Sequence, residues 1–129
     1  GMSAKDLATI CWEANEKTLV IPAHIWTPWF GLLGSKSGYD SIEECYEELT
    51  DRIYAVETGL SSDPPMNWRL SQLDNVSLIS NSDAHSPLNI GRESNVFDMA
   101  EVTYDELHNI LQHKDPKKFL HTVEFYPQE

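Results

Sequence analysis

Asp83 and His85 stand two apart in Ser80-Asn81-Ser82-Asp83-Ala84-His85-Ser86-Pro87, directly after the apolar run Val76-Ser77-Leu78-Ile79. On an extended segment, residues two apart point the same way. A carboxylate and an imidazole would then converge just beyond a strand end, a pairing that suits zinc, manganese or iron. The plain alternative is a local turn, with Asp83 bonded to nearby backbone and His85 in water. His24 weighs against that alternative, because it follows Val20-Ile21-Pro22-Ala23 and so ends a second apolar run. In βα architectures, ligands gather at the carboxyl ends of the strands. Glu57, closing Ala55-Val56-Glu57, is a third strand-end candidate and reads best as an anchor for an imidazole. His108, His113 and His121 read as ordinary histidines; His108 and His113 are five apart and share no helix face.

Trp26-Thr27-Pro28-Trp29-Phe30 places three aromatics just after His24. They could stack on a base or wedge into a duplex, or equally cap the end of a sheet. Gly31-Leu32-Leu33-Gly34-Ser35-Lys36-Ser37-Gly38 resembles a phosphate loop, but Ser35 stands where that pattern needs glycine before the lysine. A flexible loop carrying Lys36 to a phosphate remains open. Asn75-Val76-Ser77 is a chance glycosylation triplet.

These residues need elements to hold them. Leu7, Ile10, Cys11 and Ala14 at helical spacing predict a helix over 4–15. Short apolar runs predict strands at 18–21, 53–57, 76–80, 94–97 and 118–125. Ser41-Ile42-Glu43-Glu44 and Thr103-Tyr104-Asp105-Glu106 are capping-box patterns, opening helices that reach about Leu49 and Gln112. Residues 27–39, with Pro28 and glycines, predict a long loop; 61–65 predict a turn and 67–73 a short helix. Strands alternating with helices imply an α/β fold with a mostly parallel sheet and flanking helices. A closed eight-unit barrel typically needs about 250 residues, so 129 residues would make half a barrel or an open sheet.

The chain reads as one domain over 1–129, with Gly1 before Met2 resembling a scar of tag removal. No apolar run approaches the roughly 18–20 residues that cross a bilayer, so no membrane partner is expected. Cys11 and Cys45 form no C-x-x-C pair, which fits a reducing, cytoplasmic setting. Nine basic against 21 acidic residues leave a net charge of −12. That disfavours nonspecific nucleic-acid binding, which rests on clustered Lys and Arg, and tolerates a site that collects divalent cations.

Taken together, Ile21-Pro22-Ala23-His24 and Ser82-Asp83-Ala84-His85 resemble the later metal motifs of the PHP (polymerase and histidinol phosphatase) superfamily. Residues 26–39, 54–68 and Ile90-Gly91-Arg92-Glu93 are similar to its endonuclease Q-like branch. The resemblance implies a distorted βα barrel, a cluster of zinc, manganese or magnesium ions at the strand ends, and phosphoester hydrolysis. For the branch it implies nicking of DNA at deaminated or abasic nucleotides. His24 then matches the late metal-binding histidine, and Asp83 with His85 the terminal Asp-x-His pair.

The family's opening His-x-His is absent here, as is the cysteine-rich zinc module of the branch. The expectation is therefore the carboxyl half of a PHP barrel, inactive alone, with its first half supplied in trans or lost. The rival expectation is a non-catalytic remnant that binds metal or a partner. Trp26, Trp29 and Lys36 would face substrate, while Glu57 and Lys36 could support the site or touch phosphate. An open half-barrel would expose Val20, Ile21, Val56, Leu78 and Ile79, predicting a homodimer unless the first helix folds over that face.

Overall fold

The computed structural model describes residues 1–36 and 38–124; Phe125, assigned above to the last strand, lies outside them. Ser3 starts helix α1 (Ala4–Ala14): its hydroxyl accepts the Asp6 N–H at 3.0 Å while the Asp6 carboxylate reaches back to the Ser3 N–H. The buried face of α1 is Ala8 and Trp12, not the Leu7–Ile10–Cys11–Ala14 stripe, and Leu7 and Ile10 stay about half exposed. Trp12 decides the orientation. A buried indole N–H needs an acceptor, which it finds in the Thr18 carbonyl at 2.9 Å, and the Arg52 guanidinium covers its ring.

Helix α2 (Ile42–Tyr46) starts on Ser41, whose hydroxyl accepts the Glu44 N–H. It stops short of Leu49 because Glu47 takes φ 51°, and the chain tightens into a 3₁₀ turn over Glu47–Arg52. Strand β1 (Ala55–Glu57) pairs in parallel with β2 (Ser77–Ile79), Val56 opposite Leu78. Every residue of both strands is buried, as a parallel pair requires. Val56 and Leu78 face Ala8, Trp12, Ile25 and Ile42. Ala55 and Ile79 face Leu111 of helix α4 (Tyr104–His113). Between the strands, Asp63 caps helix α3 (Pro64–Asn67), followed by a 3₁₀ turn at Ser71–Leu73. The predicted turn at 61–65 and helix at 67–73 are thus divided differently.

Two expectations fail here. The segment 18–21 forms no ladder; Pro22, whose carbonyl meets the Glu57 N–H of β1, has no N–H to give in return, and side chains take other backbone groups nearby. The Trp12 indole bonds the Thr18 carbonyl, and the Tyr104 hydroxyl donates to Lys17 O at 2.6 Å while accepting the Leu19 N–H at 2.9 Å. Nor is the sheet mostly parallel. Strand β3 (Ser94–Phe97) pairs antiparallel with β4 (Phe119–Val123) in a second two-stranded sheet. Its residues are half-buried or exposed, and only antiparallel pairs tolerate a wet face. The Phe97 and Phe119 rings, 4.7 Å apart, hold its dry face.

The apolar face expected to lie open is covered within the chain. Val56, Leu78 and Ile79 are buried, and Val20 and Ile21 pack against the same clusters. Helix α1 supplies the cover on one side and α4 on the other, so the homodimer loses the argument that predicted it. Among the described residues, no helix is long and apolar enough to cross a membrane.

Candidate functional site

The ends of β1 and β2 and the turn at 22–25 carry the candidate residues. Glu57 N–H donates to Pro22 O at 2.9 Å, and Glu57 O accepts from Ile25 N–H at 3.1 Å. A regular parallel bridge would give that carbonyl to His24 N–H instead. His24 is displaced from the ladder, with φ 32°, and its N–H goes to the Glu57 carboxylate. The same carboxylate oxygen lies 3.7 Å from His24 Nδ1. Glu57 is buried, whereas the His24 ring is 39% exposed. Glu57 therefore holds the His24 backbone rather than hydrogen-bonding its ring, and the imidazole is presented toward solvent. Gly59 permits it: φ is +74°, and a Cβ there would stand 2.9 Å from His24 Cβ.

Asp83 and His85 are both exposed. Asp83 takes φ 44°, so the segment bends and the extended-chain argument for convergence does not hold. His85 Nδ1 instead meets the Asp83 carbonyl at 2.8 Å. The loop is tied from outside by Arg92, whose Nε donates to Ser82 O at 2.7 Å. Asn95 brackets Ser80, accepting its N–H and donating to its carbonyl, in place of a neighbouring strand. Among the described residues, no group of three or more His, Cys, Asp or Glu is gathered as a metal site.

Below these loops runs a buried polar chain that sequence reasoning missed. The Trp26 indole N–H donates to Asn67 Oδ1 at 2.7 Å, and Asn67 Nδ2 donates to Ser62 Oγ at 3.1 Å. Ser62 donates to Thr58 O, and the Thr58 and Ser80 hydroxyls lie 2.7 Å apart. Ser80 also donates to the Glu124 carboxylate. Thr58 and Ser80 follow apolar runs in the sequence, while Ser62 and Asn67 carried no signal there.

The three aromatics separate. Trp26 is partly buried against the main core and gives its N–H to buried Asn67, so it holds the loop. Trp29 and Phe30 are 64% and 84% exposed. Lys36 is exposed, and its N–H bonds the Pro28 carbonyl. His108 packs against the Tyr54 and Tyr104 rings, and His113 bonds Asn109 O, as ordinary helix residues do.

No family model matches the chain. It is 39% identical over 102 residues to the uncharacterized protein YqxK of Bacillus subtilis, covering 79% of this chain and 26% of that protein. It is 42% identical over 81 residues to the uncharacterized protein MJ0043 of Methanocaldococcus jannaschii, covering 61% of this chain and 9% of that protein. Among solved structures it resembles the lesion-specific endonuclease PfuEndoQ of Pyrococcus furiosus, with TM-score 0.83 and 30% identity. That match covers 98% of this chain and 30% of the other. Endonuclease Q in complex with a 27-mer duplex bearing an abasic lesion matches with TM-score 0.75 and 32% identity, over 93% of this chain and 29% of the other. The chain thus spans about a quarter of the Bacillus relative and under a third of the solved endonucleases.

Proposed function

We propose that these residues form the late portion of a metal-dependent, lesion-directed DNA phosphodiesterase of the endonuclease Q kind, the carboxyl half of a PHP-type barrel. The likeness to PfuEndoQ over 98% of this chain, at 30% identity, carries the reading. On this reading His24, Asp83 and His85 are part of a donor set for zinc, manganese or magnesium, completed by residues outside these 129. Metal ions held there would lower the pKa of a bound water and neutralise charge on phosphoryl oxygens. This chain's own part is positional. Glu57 holds His24 outward, Arg92 and Asn95 hold the loop of Asp83 and His85, and Lys36 stands ready for a backbone phosphate. The free, partly or fully buried Cys11 and Cys45 fit a reducing cytosol.

The lack of any His-x-His in these 129 residues favours a second reading, a remnant without catalysis that binds metal or a partner. A nicking assay on duplexes carrying one uracil, inosine or abasic site, with manganese or magnesium, tests both. The isolated chain should nick little or not at all, while still preferring the lesion duplex in a binding assay. Robust cleavage that disappears in His85→Ala would overturn the incompleteness of the site. Equal affinity for lesion and intact duplex would leave the remnant reading.

A further inference from the structure

The aromatic loop after His24 is tied by backbone hydrogen bonds and starts at the candidate site. Thr27 N–H bonds His24 O, Gly31 N–H bonds Thr27 O, Leu33 N–H bonds Ile25 O and Lys36 N–H bonds Pro28 O, at 2.8–2.9 Å. Ile25 and Leu33 are buried beneath it, and Trp26 is pinned to Asn67. At Gly31 a Cβ would lie 2.6 Å from the His24 carbonyl oxygen, so the residue after Phe30 abuts the His24 backbone. The loop therefore spends its order on holding Trp29 and Phe30 out in water. Two adjacent, exposed aromatic rings on an already ordered loop lose little conformational freedom on binding.

We infer that Trp29 and Phe30 enter the base stack of a duplex at the gap left by an abasic nucleotide, with Trp26 as their strut. This rests on the proposed function. A missing base leaves a void the size of a ring, and unstacking costs least at a damaged position. Apolar wedges of this kind unstack and kink duplexes. The occupant is supported by the structural neighbour on a duplex with an abasic lesion, which aligns over 93% of this chain. The net charge of −12 supplies no attraction to phosphates, so the lesion preference is placed on stacking alone.

The test is fluorescence anisotropy with two labelled duplexes of one sequence, one intact and one with a single abasic site, at low salt. The wild type should prefer the abasic duplex. Trp29→Ala and Phe30→Ala should each weaken abasic binding about 5- to 140-fold, the worth of one lost stack, and leave intact-duplex binding unchanged. Trp68→Ala, which removes another indole that is 66% exposed, should change neither. 2-Aminopurine beside the gap should be quenched by the wild type and not by Trp29→Ala. A preference retained in both variants, or an equal loss on both duplexes, overturns the wedge while the proposed function stands. No preference in the wild type overturns the proposed function and the wedge with it.

Discussion

Gly59→Ala tests how tightly the end of β1 and the turn at His24 are fitted. Gly59 and Gly91 have nearly the same φ, +74° and +79°. At Gly91 an added Cβ meets nothing within 4 Å. Gly91→Ala therefore reports backbone strain alone, about 1–2 kcal/mol for an L-residue in the left-handed region, offset by about 0.4–1 kcal/mol from the stiffer unfolded chain. The net cost should be on the order of 1 kcal/mol. At Gly59 the new methyl would also lie 2.9 Å from His24 Cβ and 3.1 Å from His24 Cα. Main chain cannot swing aside as a side-chain tip can, so an overpacking cost of about 1–3 kcal/mol adds to the strain. Gly59→Ala should then lose roughly 2–4 kcal/mol. Equilibrium urea unfolding followed by tryptophan fluorescence measures both variants. In a His24→Gly background the Cβ contact is gone, and the Gly59→Ala penalty should fall toward the Gly91 value, a coupling of about 1 kcal/mol or more. If Gly59→Ala costs no more than Gly91→Ala, or the two changes are additive, the close fit of Gly59 against His24 is refuted.

Trp26→Phe keeps the ring but strands the buried Asn67 oxygen, so urea unfolding should show a loss of about 1–3 kcal/mol. Asn95→Ala leaves the buried Ser80 N–H and carbonyl without the side chain that brackets them, costing about 1–3 kcal/mol; hydrogen exchange should quicken at Ser80. Burial, with lesser contributions from Cys45 and Tyr39, pushes the Tyr46 hydroxyl up to about 12. The unfolded chain releases that proton near pH 10 and the folded chain keeps it, so stability should fall by about 2–3 kcal/mol as pH rises from roughly 10 to 12. Tyr46→Phe should lack that part of the alkaline loss in unfolding curves taken across the range.

Helices α1 and α4 and strand β3 were legible because their determinants are local. Thr103 caps the residue three positions on, a reach fixed by helix geometry; α1 was placed by helical spacing, although the face it buries is Ala8 and Trp12. The same locality misled at 18–21. An apolar run says that a segment will be buried, not that it will join a ladder; here the Leu19 N–H goes to a phenol 85 residues away. Parallel or antiparallel pairing depended on which strands had both faces covered, a property of the assembled layers.

At the site, the residue types of His24, Glu57, Asp83 and His85 and their places at the ends of apolar runs were set by sequence alone, as was the aromatic cluster beside them. Which ring faces water was not. Trp26 turned inward because Asn67 offered a buried acceptor 41 positions away, leaving Trp29 and Phe30 outside. Likewise, a left-handed Asp83 and a His24 lifted off the ladder by Glu57 set where the imidazoles stand. A side chain's direction follows from the backbone angles beneath it, and those angles were settled by hydrogen-bond partners that only the folded chain brings together.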